Sequence, residues 1–161
     1  PKGISIRPAT EMELLHAIVC ILEALVAMNR GKHPIFHRDI RWPNIVRIHE
    51  PLKWILIDWD DACGIPSQAA YHLSAANHAP EVFQDGHRAD VDMWGVGNLI
   101  CEASQFLLNI SPDVTAAGEW MKITPRPTAK VALEKIQEIQ ASLVGNRKKF
   151  MKDQEWQSKQ L

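Results

Sequence analysis

The chain has 161 residues, of which 46% are apolar and 23% are charged, and its formal net charge is −1 with a pI near 6.8. This length fits one domain with its own hydrophobic core, and the near-neutral charge gives no reason to expect nucleic-acid binding. The three cysteines, Cys20, Cys63 and Cys101, form neither a metal-ligand pair nor a disulfide framework. We therefore expect an intracellular protein, cytoplasmic or nuclear.

The first predicted element is a long helix that begins after Thr10. Thr10 and Glu13 have the spacing of a capping box. Apolar residues then recur at helical spacing from Leu14 to Val26 on a face so wide that we expect the helix to be buried. Gly31 is predicted to end it. The apolar stretch includes charged or polar residues and is too short to span a membrane.

Two short apolar runs, 45–48 and 54–57, predict a small β-hairpin after this helix. The runs are separated by Pro51, a residue typical of turns. Such a hairpin would hold Asn44 and Asp58 at its two ends, close together in space.

The second half of the chain predicts two further helices. Residues 61–81 show no strong periodicity and are expected to be irregular. Helical patterns follow at 89–108 and 129–144, while 111–124 is polar and is predicted to be a turn-rich connection. Residues 145–161 are predicted to be a polar, basic tail. The residues predicted to face inward from the last helix are Val131, Leu133, Ile136, Ile139 and Leu143.

The most informative segment is 37–44, with the sequence HRDIRWPN, which we call the HRD segment. His-Arg-Asp followed after four residues by Asn is the spacing of the catalytic loop of protein kinases. Further motifs of that family follow in the expected order. They are Ile57-Asp58-Trp59-Asp60, Ala79-Pro80-Glu81, Asp92-Met93-Trp94-Gly95-Val96-Gly97 and Pro125-Arg126-Pro127-Thr128-Ala129.

The chain therefore resembles the C-terminal lobe of a eukaryotic protein kinase. We place this domain at 10–144, between a lead segment, 1–9, and the tail, 145–161. The Gly-rich loop, the Ala-x-Lys strand and the helix with its pairing Glu are missing before His37. The expected fold is mainly α with a small β-hairpin, without an N-terminal lobe. Because the chain begins with Pro, we expect that lobe to lie upstream, or a partner chain to cover the cleft.

The resemblance implies a set of residues for phosphoryl transfer. Asp39 would orient the attacking hydroxyl, and Arg41 would contact the transferred phosphate. Asn44 and Asp58 would hold Mg²⁺ ions that bridge the phosphates of ATP. Val46, in the first strand of the hairpin, would lie against the nucleotide.

The resemblance also implies structural roles at five positions. His37 would pack against Trp59, which stands where the family has Phe. Glu81 and Arg126 would form a buried ion pair. Asp92 would accept hydrogen bonds from the backbone of the HRD segment.

A third set of residues suggests regulation. In activation-loop-regulated kinases the Arg of the HRD motif pairs with a phosphorylated side chain, so Arg38 would reach a phosphate on Ser67 or Tyr71. Ser74 lies five residues before the Ala-Pro-Glu motif, where Ser/Thr kinases carry a Thr that bonds the Asp of the HRD motif. We therefore expect Ser74 to contact Asp39, and proteins with Ser or Thr to be the acceptors. Four histidines are interpreted as ordinary surface or loop side chains: His33, His72, His78 and His87.

The Asp58-Trp59-Asp60 segment departs from the Asp-Phe-Gly of most protein kinases. A similar Asp-Trp-Asp occurs in aminoglycoside- and choline-type kinases, in fungal kinase-like families and in the kinase-like domains of crinkler-type effectors. The other motifs favour the fungal or crinkler-like group, because small-molecule kinases generally lack them.

Three functions remain open. The first is the catalytic lobe of a Ser/Thr protein kinase, inactive as an isolated lobe. The second is a small-molecule phosphotransferase. The third is a non-catalytic binding module, in which the apolar face around Val46, Leu56 and Trp59 would be exposed to a partner.

Overall fold

The computed structural model describes residues 6–49 and 52–158, without the side chains of 147 and 149–158. In this part of the chain the fold is mainly helical with one small antiparallel sheet, which confirms the predicted mixture of elements. The helices are α1 (Glu11–Met28), α2 (Asp90–Ala103), α3 (Pro112–Lys122) and α4 (Ala129–Ser158), the strands are β1 (Ile45–His49) and β2 (Leu52–Leu56), and short 3₁₀ turns span Trp42–Asn44 and Pro80–Phe83.

Helix α1 is the centre of the core. The Glu13 backbone N–H donates to Thr10 Oγ1 at 3.2 Å, as the capping box predicts, and the Glu13 carboxylate accepts from the Ala9 N–H at 2.9 Å. The helix ends at Met28, and Gly31 follows with φ 86°. One face of α1 packs against α4, and other residues contact α2 and β2. The result is a single large core to which all four helices and the hairpin contribute.

The hairpin pairs Ile45 with Leu56 at its open end. Both side chains are buried in the core together with Trp54. Pairing continues one step beyond the strands, because the Ile57 N–H donates to the Asn44 carbonyl at 2.8 Å. The predicted hairpin is confirmed, while residues 50 and 51 of its turn lie outside the described residues.

Residues 111–124 were wrongly predicted to be a turn-rich connection. Helix α3 begins at Pro112, which suits the first turn because its missing N–H has no intrahelical partner there. Val114, Ala117, Gly118 and Met121 are buried at i, i+3, i+4 and i+7 spacing. Two of these four side chains are small, so the stripe is weakly hydrophobic and is easily read as polar.

The bounds of the other helices also differ from the prediction. Helix α2 ends at Ala103 rather than at residue 108, and α4 continues to Ser158 instead of ending at 144. Val131, predicted to face inward, is exposed, and Ala132 is buried in its place. The predicted tail, 145–161, is thus helical as far as the structure describes it, and residues 1–5 of the predicted lead lie outside the described part. No helix in the described part is long and apolar enough to cross a membrane.

Candidate active site

The HRD segment is held in place by the first turn of α2. The buried Asp92 carboxylate accepts the backbone N–H of His37 at 2.8 Å and that of Arg38 at 2.7 Å, which confirms the predicted contact. Arg38 has φ 71°, a conformation that a residue with a side chain adopts only when its surroundings enforce it. Burial raises the pKa of Asp92 to about 6, although the two N–H groups act in the opposite direction.

Asp39 lies at the floor of the site, where it is 4% exposed. Three side chains donate to its carboxylate: His78 Nε2 at 2.8 Å, Asn44 Nδ2 at 2.7 Å, and Arg41 Nε at 2.8 Å from one oxygen and 3.0 Å from the other. Burial alone would raise the pKa of Asp39, but the hydrogen bonds from His78, Arg41 and Asn44 outweigh it and hold the pKa below its ordinary value. The carboxylate is therefore ionised at neutral pH.

His78 was wrongly interpreted as an ordinary loop histidine. Its side chain is buried, and it makes the hydrogen bond to Asp39 that the sequence assigned to Ser74. Ser74 is exposed and contributes only its carbonyl, which contacts His78 Nδ1 at 2.7 Å. The available signal was the position of His78, directly before Ala79 in a segment that was expected to approach Asp39.

Asn44 closes the HRD segment from the other side. Its Nδ2 group donates both to the Asp39 carbonyl at 2.9 Å and to the Asp39 carboxylate. Two acceptors on one side fix the orientation of the amide, since its oxygen would be repelled there. The Asn44 Oδ1 atom therefore points away from Asp39, and no described residue donates a hydrogen bond to it.

Asp58 follows the open end of the hairpin, one residue beyond Ile57. Ile57, its neighbour, is fixed through its N–H to the Asn44 carbonyl and through its carbonyl to His37 Nε2 at 3.0 Å. Asp58 itself has φ 65° and an exposed side chain. Trp59 stacks edge-on against His37 with ring centroids 4.5 Å apart, which confirms that predicted contact. Burial lowers the pKa of His37, so its ring is neutral.

The two predicted modification sites differ in accessibility. Ser67 is buried and donates its hydroxyl to the His87 carbonyl at 2.6 Å, whereas Tyr71 is 80% exposed. His87 is buried too, contrary to the prediction for a surface side chain. Arg38 donates to the carbonyls of Asp61 and Gln68 within the same loop. These two bonds use Nε and Nη1 of Arg38, so a phosphate on Tyr71 would have to compete with them or use the other N–H groups of the guanidinium.

The predicted pair of Glu81 and Arg126 is present, with 3.1 Å between the guanidinium and the carboxylate. Arg126 also contacts Asp90 at 3.2 Å and donates to the Lys122 carbonyl. The Arg126 side chain is only 3% exposed, while both carboxylates remain partly open to solvent. This cluster ties the 3₁₀ turn of the Ala-Pro-Glu motif to the start of α4.

The apolar face predicted around the hairpin is only partly exposed. Leu56 is buried, Val46 is half-buried, and Trp59 is open to solvent. Trp59 also lines a groove of about 400 Å³ between α1 and β2, together with Cys20 and Lys53. The predicted face is thus a narrow groove with an aromatic edge.

The described residues contain no cluster of three or more His, Cys, Asp or Glu side chains placed to hold a metal ion. The resemblance assigns a metal to Asn44 Oδ1, to which no described residue donates, and to the Asp58 carboxylate, which is exposed. They suit Mg²⁺, which prefers hard oxygen ligands and commonly uses one or two carboxylates together with substrate phosphates instead of a complete protein cage.

Comparison with known proteins gives one informative relationship. No family model matches the chain. Over 104 residues, or 62% of its length, the chain is 38% identical to Crinkler effector protein 8 of Phytophthora infestans. The aligned part spans 17% of that protein, so the similarity concerns one portion of a much longer chain. This partial match supports the predicted resemblance to crinkler-type sequences.

Proposed function

We propose that this chain is the catalytic lobe of a Ser/Thr-type protein kinase, which transfers the γ-phosphate of ATP to a protein hydroxyl. The observation that supports it best is the hydrogen bonding of Asp39. A buried carboxylate is kept ionised by three donors, one of which, Asn44, directly precedes the first strand of the hairpin. This is the arrangement that in-line phosphoryl transfer requires of a protein: positioning of the hydroxyl and neutralisation of charge.

In this proposal Asp39 acts on the acceptor hydroxyl. An ionised carboxylate offers about four lone-pair positions. Three donors leave room for the hydrogen of an incoming Ser or Thr hydroxyl, which Asp39 would orient toward the phosphorus. Arg41 is partly exposed and lies on the solvent side of Asp39, so its guanidinium can move to the transferred phosphate.

Asn44 and Asp58 would hold Mg²⁺ in this proposal. Bound Mg²⁺ would bridge the phosphates of ATP and neutralise the charge that develops on them. With only two protein ligands, we expect the metal to bind together with the nucleotide and weakly on its own. The Asn44 amide has one outward-facing oxygen because Asp39 holds its NH₂ group.

The first test is calorimetric titration of Mg²⁺-ATP into this chain and into Asp58→Ala. Asp113→Ala, which removes an exposed carboxylate in α3, is the matched control. Binding to the wild type and the control that is lost in Asp58→Ala would support the proposal. A wild-type chain that takes up no nucleotide at millimolar concentration would refute a nucleotide site on this lobe.

A second test separates binding from chemistry. Asp39→Asn removes the acceptor for the hydroxyl but leaves Asn44 and Asp58 in place. We expect unchanged Mg²⁺-ATP affinity in this chain. In the intact protein, assayed with an N-terminal lobe over the site, we expect a loss of about 100-fold or more in phosphorylation of Ser- and Thr-containing proteins. Equal phosphorylation by the wild type and Asp39→Asn would contradict the role of Asp39.

The second candidate is a non-catalytic binding module. The exposed Trp59 at the edge of the groove between α1 and β2 favours it, because aromatic side chains in grooves are common anchors for partners. The same titration distinguishes the two functions, since a binding module needs no Asp58-dependent nucleotide site. A small-molecule phosphotransferase would bind nucleotide similarly and would phosphorylate small alcohols in place of proteins.

A further inference from the structure

His78 connects the loop before Ala79 to Asp39. Its ring is 8% exposed, and its two nitrogens face two different oxygens. Nε2 lies 2.8 Å from Asp39 Oδ1, and Nδ1 lies 2.7 Å from the Ser74 carbonyl. Both distances are those of good hydrogen bonds.

The partners of His78 determine where its protons are. A carbonyl oxygen can only accept, so Nδ1 must carry a hydrogen to bond Ser74. An ionised carboxylate can also only accept, so Nε2 must carry a hydrogen to bond Asp39. A neutral imidazole has one N–H and cannot make both bonds. Making both bonds therefore takes one proton more than a neutral His78 and an ionised Asp39 carry between them, and a doubly protonated His78 is one way to supply it.

The other way to satisfy the geometry is to place a proton on Asp39. The surroundings of Asp39 oppose this, because Arg41 and Asn44 donate to the same carboxylate. A proton on Oδ2 would meet the Asn44 NH₂ group at 2.7 Å. On Oδ1 the proton would lie between that oxygen and His78 Nε2, so the two residues compete for it. Arg41 and Asn44 both donate to the carboxylate and stabilise its ionised form, which places this proton on His78 Nε2.

We propose that His78 is a positioning residue whose imidazolium form holds the Asp39 carboxylate and docks the loop before Ala79 against it. The catalytic part of this inference rests on the function proposed above. The sequence places Ser74 at the position where the kinase resemblance implies a hydroxyl contact, and here a charged ring makes the contact instead.

The arrangement explains how Asp39 stays oriented during a reaction. Arg41 is partly exposed and is the donor that would leave Asp39 for the transferred phosphate. His78 and Asn44 are buried and would remain, one on each carboxylate oxygen. The positive charge of His78 would replace the charge that Arg41 withdraws from Asp39.

Nuclear magnetic resonance on this chain labelled with ¹⁵N-histidine tests the charge directly. With backbone assignments, we expect both ring nitrogens of His78 to be protonated at neutral pH. In Asp39→Asn we expect the proton on Nδ1 to remain and the ring to become neutral. A wild-type His78 with a single protonated nitrogen would overturn the inference. This measurement on the wild type depends on neither catalysis nor the folding of a variant.

Kinetics test the positioning role. His78→Gln is compared with His72→Gln, which changes an exposed histidine that also contacts a carboxylate, Asp61, in the same loop. In the intact protein, assayed with an N-terminal lobe over the site, we expect His78→Gln to lower kcat about tenfold or more and to leave the KM for ATP unchanged, with no effect of His72→Gln. Circular dichroism checks that both variants are folded, and His78→Asn serves if the first is not.

The outcomes separate this inference from the proposed function. Equal kcat for His78→Gln and the wild type would refute the positioning role even if the chain is an enzyme. A wild type that binds no ATP would remove the proposed function and the positioning role with it, while the ring-nitrogen measurement would still decide whether His78 and Asp39 form a charged pair.

Discussion

Replacing Gly97 by Ala tests how closely α2 and α3 approach. A Cβ atom at position 97 would lie 2.5 Å from the Gly118 carbonyl oxygen, 2.9 Å from Lys122 Cγ and 3.0 Å from Met121 Cβ. The Lys122 side chain can move, but the oxygen belongs to the backbone of α3. The methyl group can therefore be accommodated only if the two helices separate.

The expected change in the free energy of unfolding of Gly97→Ala is the sum of two opposing effects. Overpacking of a well-packed interior costs about 1–3 kcal/mol. Ala in place of Gly within a helix returns up to about 1 kcal/mol through propensity. The nearest contact is far shorter than a normal van der Waals separation and involves backbone, so we expect an overpacking cost near 3 kcal/mol. After the gain in helix propensity, the net loss in the free energy of unfolding is about 2 kcal/mol. For a domain of this size that lowers Tm by roughly 4–8 °C.

Urea and thermal unfolding followed by circular dichroism measure this effect. Gly145→Ala is the matched control, since Gly145 lies in α4 with nothing within 4 Å of its would-be Cβ. The control should be neutral or slightly stabilising. If Gly97→Ala were as stable as the wild type, the close packing of α2 on α3 would be refuted.

Two further perturbations concern charges. Burial raises the pKa of Asp92 from 3.8 to about 6, so between these pH values the protein takes up a proton when it folds. The free energy of unfolding of the wild type, relative to that of Asp92→Asn, should therefore fall by about 2–3 kcal/mol from pH 4 to pH 7. His37, whose pKa is lowered, changes stability with pH in the opposite direction and is present in both proteins. Subtracting their free energies of unfolding in urea therefore cancels its contribution. If this difference did not change with pH, the raised pKa of Asp92 would be refuted. The double variant Glu81→Gln, Asp90→Asn leaves the buried Arg126 guanidinium without a counter-charge and should lose about 3–5 kcal/mol. Adding Arg126→Met should restore part of that loss, and a triple variant less stable than the double variant would disprove the explanation.

The parts of the fold that follow from local patterns could be predicted. The capping box of α1 and the two apolar runs of the hairpin depend on neighbours in sequence, and both elements are present. Helix α3 was harder to predict, because two of its buried residues, Ala117 and Gly118, are selected for small size and give little hydrophobic periodicity. The Gly118 position would bring a Cβ within 2.8 Å of Ile100, a packing constraint between helices that composition does not reveal.

The residues of the site likewise include some that local sequence spacing predicts and one that depends on a long-range contact. The spacing within the HRD segment indicated Asp39 and Asn44, and the hairpin placed Asp58 near them. His78 was missed because its bond to Asp39 joins residues 39 positions apart. The family resemblance indicated Ser74 for that contact, but the loop brings the longer, chargeable side chain to Asp39 and leaves Ser74 exposed.

The local shape of the site also depends on α2. Arg38 has a positive φ, which costs about 1–3 kcal/mol for a residue with a side chain. The two hydrogen bonds from the His37 and Arg38 amides to Asp92 contribute about 1.5–3 kcal/mol each, because the acceptor is charged. They therefore offset the strain, although burial disfavours the ionised form of Asp92 relative to the protonated form. The turn that presents Asp39 persists because α2 places a buried carboxylate beneath it, so the packing of α2, including that at Gly97, supports the geometry of the site.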